Sequence, residues 1–341
     1  MAMIEDAETH DTANSDTTNS LVLSRRRMMQ CLAWSGAGLA WVISGGVPKA
    51  LALDSATLAT EIKRGSFVFA QISDTHIGFG KEANPDTAAT LQLALDEIKI
   101  IRPAFMLHTG DVTHLSKPVE FDTAAQLLAG SRIETHYVPG EHDVLDENAS
   151  LFFSRFTPKA KNGWYSFDYS GVHFVALVNV LNFQAGGLGR VGADQLHWLE
   201  DDLRDKSAST PIVVFTHIPL WDVYRAWGWA TDDGDKVLAL LRRFGSVTVL
   251  NGHIHQLMQK TEGNLVFHSA RSTAYPQPEP GKAAGPGPVT VAAAQLRSVL
   301  GISSMRVDAT APLLQIADYK LNEKPKIETA AGQINSASAR G

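Results

Sequence analysis

The sequence predicts an α/β fold organised on a mainly parallel sheet, from three observations. Short apolar runs rich in β-formers alternate with segments of helical period from residue 67 to 143. The alternation resumes over 211–255. The apolar runs repeatedly stop at Asp, Glu or His. Alternation of this kind marks right-handed strand–helix–strand crossovers, and in an α/β sheet the strand ends converge on one edge where ligands bind.

Each element follows from its local pattern. "FVFAQISD" (67–74) reads as a buried strand ending in polar residues, and "PDTAATLQLALDEIKII" (85–101) has helical spacing with Pro and Asp at its start. "FMLHTGD" (105–111) is a second strand, "KPVEFDTAAQLLAG" (117–130) a second helix, and "ETHYVPGEHD" (134–143) a third strand stopped by Pro-Gly. "YSFDYSGVHFVALVN" (165–179) reads as a hairpin turning at Ser170-Gly171, and "GADQLHWLEDDL" (192–203) as a helix. Strands at 211–219 and 246–255 flank a helix at 234–243. A hairpin over 255–270 turns at Glu262-Gly263. Residues 274–289 read as a Pro/Gly loop, and 290–321 as an added edge helix or strand. No internal repeat is visible.

The start of the chain reads as an address. Residues 1–20 are polar and aperiodic. "SRRRMMQ", an apolar stretch with glycines and the ending Ala50-Leu51-Ala52 then follow. The arginine run resembles a twin-arginine export signal, with cleavage expected after Ala52. The apolar run is too short and too rich in glycine to span a bilayer comfortably. The expected partner is the twin-arginine export machinery. The expected location is periplasmic or secreted, with no stable membrane span in the mature form. The expected divisions are a disordered leader and signal (1–52), a single catalytic domain (53–325) and a flexible tail (326–341).

A chain of 341 residues with 44% hydrophobic residues supports one large core or two modest ones. Its formal charge of -6 lacks the basic footprint of a nucleic-acid binder, so no nucleic-acid partner is expected. The one cysteine, Cys31, allows no intramolecular disulfide and no thiolate metal site. Twelve histidines supply other ligands.

Polar groups gather at the strand ends. Asp74 and His76 follow the first strand, Asp111 the second, and Glu141, His142 and Asp143 the third. His217, His253 and His255 close two more. In "VLNGHIHQ" an extended backbone would turn both histidines the same way. Clustered carboxylates and imidazoles are expected to need cations, and mixed Asp/His donors suit Fe, Mn or Zn.

The ordered set "SDTH", "TGD", "GEHD", "FTHIP", "GHIH" resembles the calcineurin-like metallophosphoesterases over about residues 67–270. The resemblance implies a four-layer α/β/β/α sandwich with mixed sheets in one catalytic domain. It implies two divalent transition-metal ions: Asp74, His76 and His255 on one, His217, His253 and Glu141 on the other, Asp111 bridging. It implies phosphate-ester hydrolysis by metal-activated water, with His142 as the general acid. The substrate would be a small phosphorylated molecule. The nearest likeness is to the branch with bacterial cyclic-nucleotide phosphodiesterases, so a dedicated cyclic-nucleotide enzyme is one alternative. A metal-binding module with altered catalysis is another.

Two departures stand out. Glu141 replaces the family's Asn, and His114 stands where many relatives have the Asp that orients the catalytic histidine. Asp143 is the expected substitute for that role. Glu141 and His114 together would be a linked exchange of charge. His108, His136, His173, His197 and His268 are expected to be structural. The aromatic run Trp221, Tyr224, Trp227 and Trp229 would form either a stacking wall over the metals or a small core beneath a loop. Arg225, Lys81 and Arg271 are candidate phosphate contacts.

Overall fold

The structure, a computed structural model, describes residues 39–44, 47–52, 66–146, 149–160, 162–181, 187–308, 314–325, 327–328 and 334–335. Where the apolar part of the export signal is expected, β1 (Leu39–Ser44) and β2 (Val47–Ala52) pair as an antiparallel ribbon, a unit by itself. The arginine run lies outside the described residues, as does most of the expected tail.

β3 (Phe67–Ile72), β4 (Met106–His108) and β5 (Thr135–Tyr137) run parallel. The helices α1 (Thr87–Ile101) and α2 (Pro118–Gly130) carry the chain back between them. The Asp86 carboxylate starts α1 by accepting the Ala89 N–H at 2.9 Å. A short helix, α3 (Ser150–Phe156), leads to the hairpin of β6 (Tyr165–Tyr169) and β7 (Val172–Ala176). α4 (Ala193–Leu203), β8 (Ile212–Phe215), α5 (Gly234–Leu241) and β9 (Val247–Asn251) continue the alternation. The hairpin of β10 (Met258–Glu262) and β11 (Leu265–Ser269) follows, then α6 (Ala293–Val299), β12 (Gly301–Val307) and β13 (Leu314–Lys320).

Two mixed sheets result, where strand spacing alone suggested one mainly parallel sheet. Their orders are β13-β12-β3-β4-β5 and β10-β11-β9-β8-β7-β6. Their inner faces meet through Phe69, Phe105, Phe174, Phe215, Leu250 and Met305. Phe69 stacks on Phe105 at 5.3 Å and meets Phe174 edge-on at 5.3 Å. Alternate residues face outward, as the strand period of two requires. Ala70 and Ile72 pack against Leu91, Ile98 and Phe121 of α1 and α2. Val214 and Val249 pack against Leu199, Val237 and Leu241 of α4 and α5. The layers are therefore α/β/β/α. Fully burying one such side chain stabilises by about 1.5–3 kcal/mol.

The edge strand expected within 290–321 is β13, and β12 lies inside the sheet, pairing with both β3 and β13. One element differs from the sequence reading: helix α3 was not expected. Among the described residues, no helix is long and apolar enough to cross a membrane. The carboxyl ends of β3, β4, β5, β8 and β9 each lead directly into a segment that carries expected site residues.

Candidate metal centre

The loops at this edge lock together through their backbones. The N–H groups of Asp74, His76 and Ile77 donate to the carbonyls of Gly110, Asp111 and Val112 at 2.9, 2.9 and 3.0 Å. Glycines permit the close approach. A Cβ on Gly140 would collide with the Asp111 carboxylate, and one on Gly252 with Ser73 and Asp74. Asp74, His76, Asp111, His253 and His255 all have positive φ, from 40° to 68°. Such conformations cost about 1–3 kcal/mol each and persist only where the surroundings impose them. The "VLNGHIHQ" segment is thus not extended beyond Asn251, and its two histidines face different partners.

The ligand atoms of Asp74, His76, Asp111 and His255 lie within 4.8 Å of one another, as do those of Glu141, His217 and His253. In the first group His255 Nε2 is 3.3 Å from Asp74 Oδ1 and 3.2 Å from His76 Nε2. In the second, Glu141 reaches His217 Nε2 at 2.8 Å and His253 Nδ1 at 3.0 Å. Asp111 Oδ2 lies 3.4 Å from His76 Nε2 and 3.4 Å from His217 Nε2, joining the groups. Backbone acceptors fix two tautomers. His217 Nδ1–H donates to the Thr109 carbonyl and His255 Nδ1–H to the Tyr275 carbonyl, both at 2.6 Å, so each turns Nε2 toward the cluster.

Charge follows position. Burial, then the nearby His142 and His255, hold the His76 pKa well below its usual range. Burial opposes charge on His217 too, but Asp111 and Glu141 outweigh it and hold the pKa well above normal. Glu141 moves the opposite way: His253 and His217 overcome its burial and keep it ionised. Burial lowers His142, yet Asp111, Glu141 and the His114 carbonyl raise it overall.

The donors fit divalent transition metals: three carboxylates, four imidazoles and no thiolate. His253 Nε2 is buried without a hydrogen-bond partner, and His217 Nε2, His253 Nδ1 and Glu141 Oε2 meet their imidazole and carboxylate neighbours only as ion-pair contacts. Such groups are costly to leave unmatched, and cations would engage them. Glu141 therefore faces the cluster, where it can serve as a ligand.

The expected orienting contacts need correction. His142 Nδ1–H donates to the backbone carbonyl of His114 at 2.7 Å. The His114 side chain instead stacks on the His142 ring at 5.0 Å, and burial, then His142, push its pKa down to about 4. Asp143 does not orient His142. Its carboxylate accepts the N–H groups of Val112, Thr113 and Gly140 at 2.9, 2.7 and 3.0 Å, knitting two loops together. Burial, then Asp111, push Asp143 up to about 7. The linked exchange of Glu141 with His114 is also absent, because Glu141 is engaged by His217 and His253.

The aromatic run is a small core beneath a loop. Trp227 and Trp229 are buried with Ile254, the residue between His253 and His255. Trp221 packs on Phe267 at 6.0 Å. Arg225 pairs with Asp232 and Asp222 at 3.2 and 3.7 Å, and Arg271 lies near Asp318, whereas Lys81 stands over Phe79, a ring packed on Tyr275 beside the cluster. His108 is held by Thr75 and the Gly110 N–H, and burial drives its pKa to about 3. His136 stacks on Phe167, His173 sits between Asp168 and Asp202, His197 lies near Asp201 on α4, and His268 meets Asp318. Sequence reading missed Tyr275, whose hydroxyl lies 3.2 Å from His76 Nε2.

Comparison with known proteins agrees with this geometry. A family model described as calcineurin-like phosphoesterase matches residues 67–257. A 3',5'-cyclic-nucleotide phosphodiesterase from Nostoc sp. is 24% identical over 214 residues, covering 60% of this chain and 78% of that protein. The glycerophosphodiester phosphodiesterase GpdQ from Enterobacter lignolyticus is 29% identical over 206 residues, covering 56% and 71%. A dimetal phosphatase from Danio rerio has a similar fold, with TM-score 0.55 at 15% identity, covering 75% of this chain and 99% of that one.

Proposed function

The chain belongs to the calcineurin-like phosphoesterase family, and from that premise we propose that it hydrolyses small phosphate esters at a centre for two divalent ions drawn from iron, manganese and zinc. The observation that carries the reading is the position of Asp111 Oδ2, 3.4 Å from a histidine of each ligand group. Asp74, His76, Asp111 and His255 would hold one ion. Glu141, His217 and His253 would hold the other, with Asp111 shared. When bound, such ions stabilise phosphoryl charge and make water acidic enough to attack phosphorus at neutral pH.

The remaining work falls to the protein. His142 Nδ1 is committed to the His114 carbonyl, which leaves Nε2 to carry a proton to the departing oxygen. The Thr109 and Tyr275 carbonyls hold His217 and His255 in the ligating tautomer. The names of the Nostoc and Enterobacter relatives favour phosphodiesters over monoesters. The test uses full-length chain stripped of metal and reloaded with manganese, iron or zinc. Turnover of p-nitrophenyl phosphate, its bis ester or a 3',5'-cyclic nucleotide is expected. Folded, metal-loaded protein silent on all three would favour a binding module instead.

We infer also that the protein works outside the cytoplasm, on the support of Arg25, Arg26 and Arg27 ahead of the apolar stretch ending at Ala52. Residues 1–60 fused to a folded reporter should direct its export, and R25K/R26K/R27K should abolish it. Export that ignores the arginines would overturn this reading.

A further inference from the structure

We propose that Tyr275 is a further catalytic residue of this centre, its hydroxyl donating a hydrogen bond to a phosphoryl oxygen of the bound substrate. The inference deepens the phosphoesterase reading and rests on it. The backbone around Tyr275 is pinned to the Asp74 loop. Ser272 Oγ donates to the Asp74 carbonyl at 2.8 Å and accepts the N–H groups of Ala274 and Tyr275 at 2.8 and 3.2 Å. Thr273 N–H donates to the Ser73 carbonyl at 3.2 Å, and Asn84 Nδ2 to the Ala274 carbonyl at 2.7 Å. The ring is fixed too. It is 4% exposed, lies 4.3 Å from Phe79, stacks on His76 at 4.8 Å and tilts against His255 at 4.7 Å.

The hydroxyl therefore has one place to point. Its partner among the described residues is His76 Nε2, at 3.2 Å. That nitrogen also faces His255 Nε2 and Asp111 Oδ2, so it is the atom through which His76 would hold an ion. An imidazole nitrogen that ligates a metal has no lone pair left for the phenol. Among the described residues the hydroxyl makes no hydrogen bond to the neighbouring carboxylates, whose oxygens face other groups. Both Asp74 oxygens accept the His253 N–H, Asp111 Oδ1 accepts the His142 N–H, and Asp111 Oδ2 sits between His76 and His217. A buried hydroxyl without an acceptor is costly. The acceptor that fits is one that arrives with the ligand, and a phosphoryl oxygen offers lone pairs and negative charge. The bond strengthens as charge builds on that oxygen during reaction.

Tyr275→Phe keeps the ring packing and the carbonyl that holds His255, and deletes the hydroxyl alone. The full chain loaded with manganese is the test material. The variant should match wild type in melting temperature and bound manganese. Calorimetry should show inorganic phosphate bound about tenfold more weakly, and kcat/KM for bis(p-nitrophenyl) phosphate should fall roughly ten- to a hundredfold, mainly in kcat. Unchanged phosphate affinity together with unchanged kcat/KM would overturn the proposal. Loss of manganese in step with activity would overturn it too, by making the hydroxyl a ligand. Should wild type bind phosphate but hydrolyse no ester, the hydrolase reading fails, and the phosphate measurement still decides the role of Tyr275.

Discussion

A general acid must hold its proton on one atom and present that atom to the leaving group. His142 meets the first condition because its Nδ1 is tied to the His114 carbonyl at 2.7 Å. Asp111 and Glu141 meanwhile favour its charged form over the opposing effect of burial. His142→Ala should therefore cost about 10²–10⁴-fold on an alkyl phosphate, whose alkoxide needs a proton. The loss should be far smaller on a p-nitrophenyl ester, whose leaving group departs without one. Equal losses on both substrates would show that His142 acts some other way. At this scale the residue types of the centre were legible, because Asp and His at strand ends have few purposes besides binding a cation. Their conformations were not. His253 and His255 suggest an extended pair, yet both take positive φ, a strain that only the surrounding loops can impose. Tyr275 was hidden for another reason: tyrosine in a Pro/Gly stretch has no pattern to betray it.

Elements with strong period were legible to within a few residues. The apolar spacing of 85–101 reappears as α1, and the Ser170-Gly171 turn as the link between β6 and β7, where both residues take positive φ. The two mixed sheets of the sandwich were legible through the resemblance, but alternation alone left strand order open. β5 and β6, on either side of the break between the sheets, are short or half-buried and carry no strong period. β12 was harder still. Its residues Ser303, Ser304 and Arg306 interrupt any apolar run, and its interior position comes from pairing with β3 and β13 rather than from its own composition. The aromatic run at 221–229 shows the same limit. Its density of rings fits a stacking wall as well as a core, and only the contact of Trp229 with Ile254 decides for the core.

On the scale of the whole molecule, the centre is divided between the sheets. Asp74, Asp111 and Glu141 follow β3, β4 and β5 of one sheet, while His217, His253 and His255 follow β8 and β9 of the other. Its geometry therefore depends on how the sheets are held to each other. Apolar packing does most of this without fixing direction. Polar ties supply direction: Gln71 Nε2 donates to the Asn251 carbonyl at 3.2 Å, and His268 on β11 meets Asp318 on β13 at 3.0 Å. Ser303 Oγ adds a bond of 2.6 Å to the same carboxylate. Burial raises the Asp318 pKa, but His268 and Ser303 outweigh it and hold the carboxyl below its usual 3.8. A carboxylate lowered on folding contributes stability that is complete above its unfolded pKa and is lost as pH falls through the folded one. Asp318→Asn should thus destabilise the protein at neutral pH by about 2 kcal/mol, the order expected when a buried polar pair loses one partner. Denaturant titrations of wild type and variant, taken from neutrality to about pH 2, should show that gap closing below 3.8. A gap that stays constant through the acid range would mean that the tie between the sheets owes nothing to the charge on Asp318.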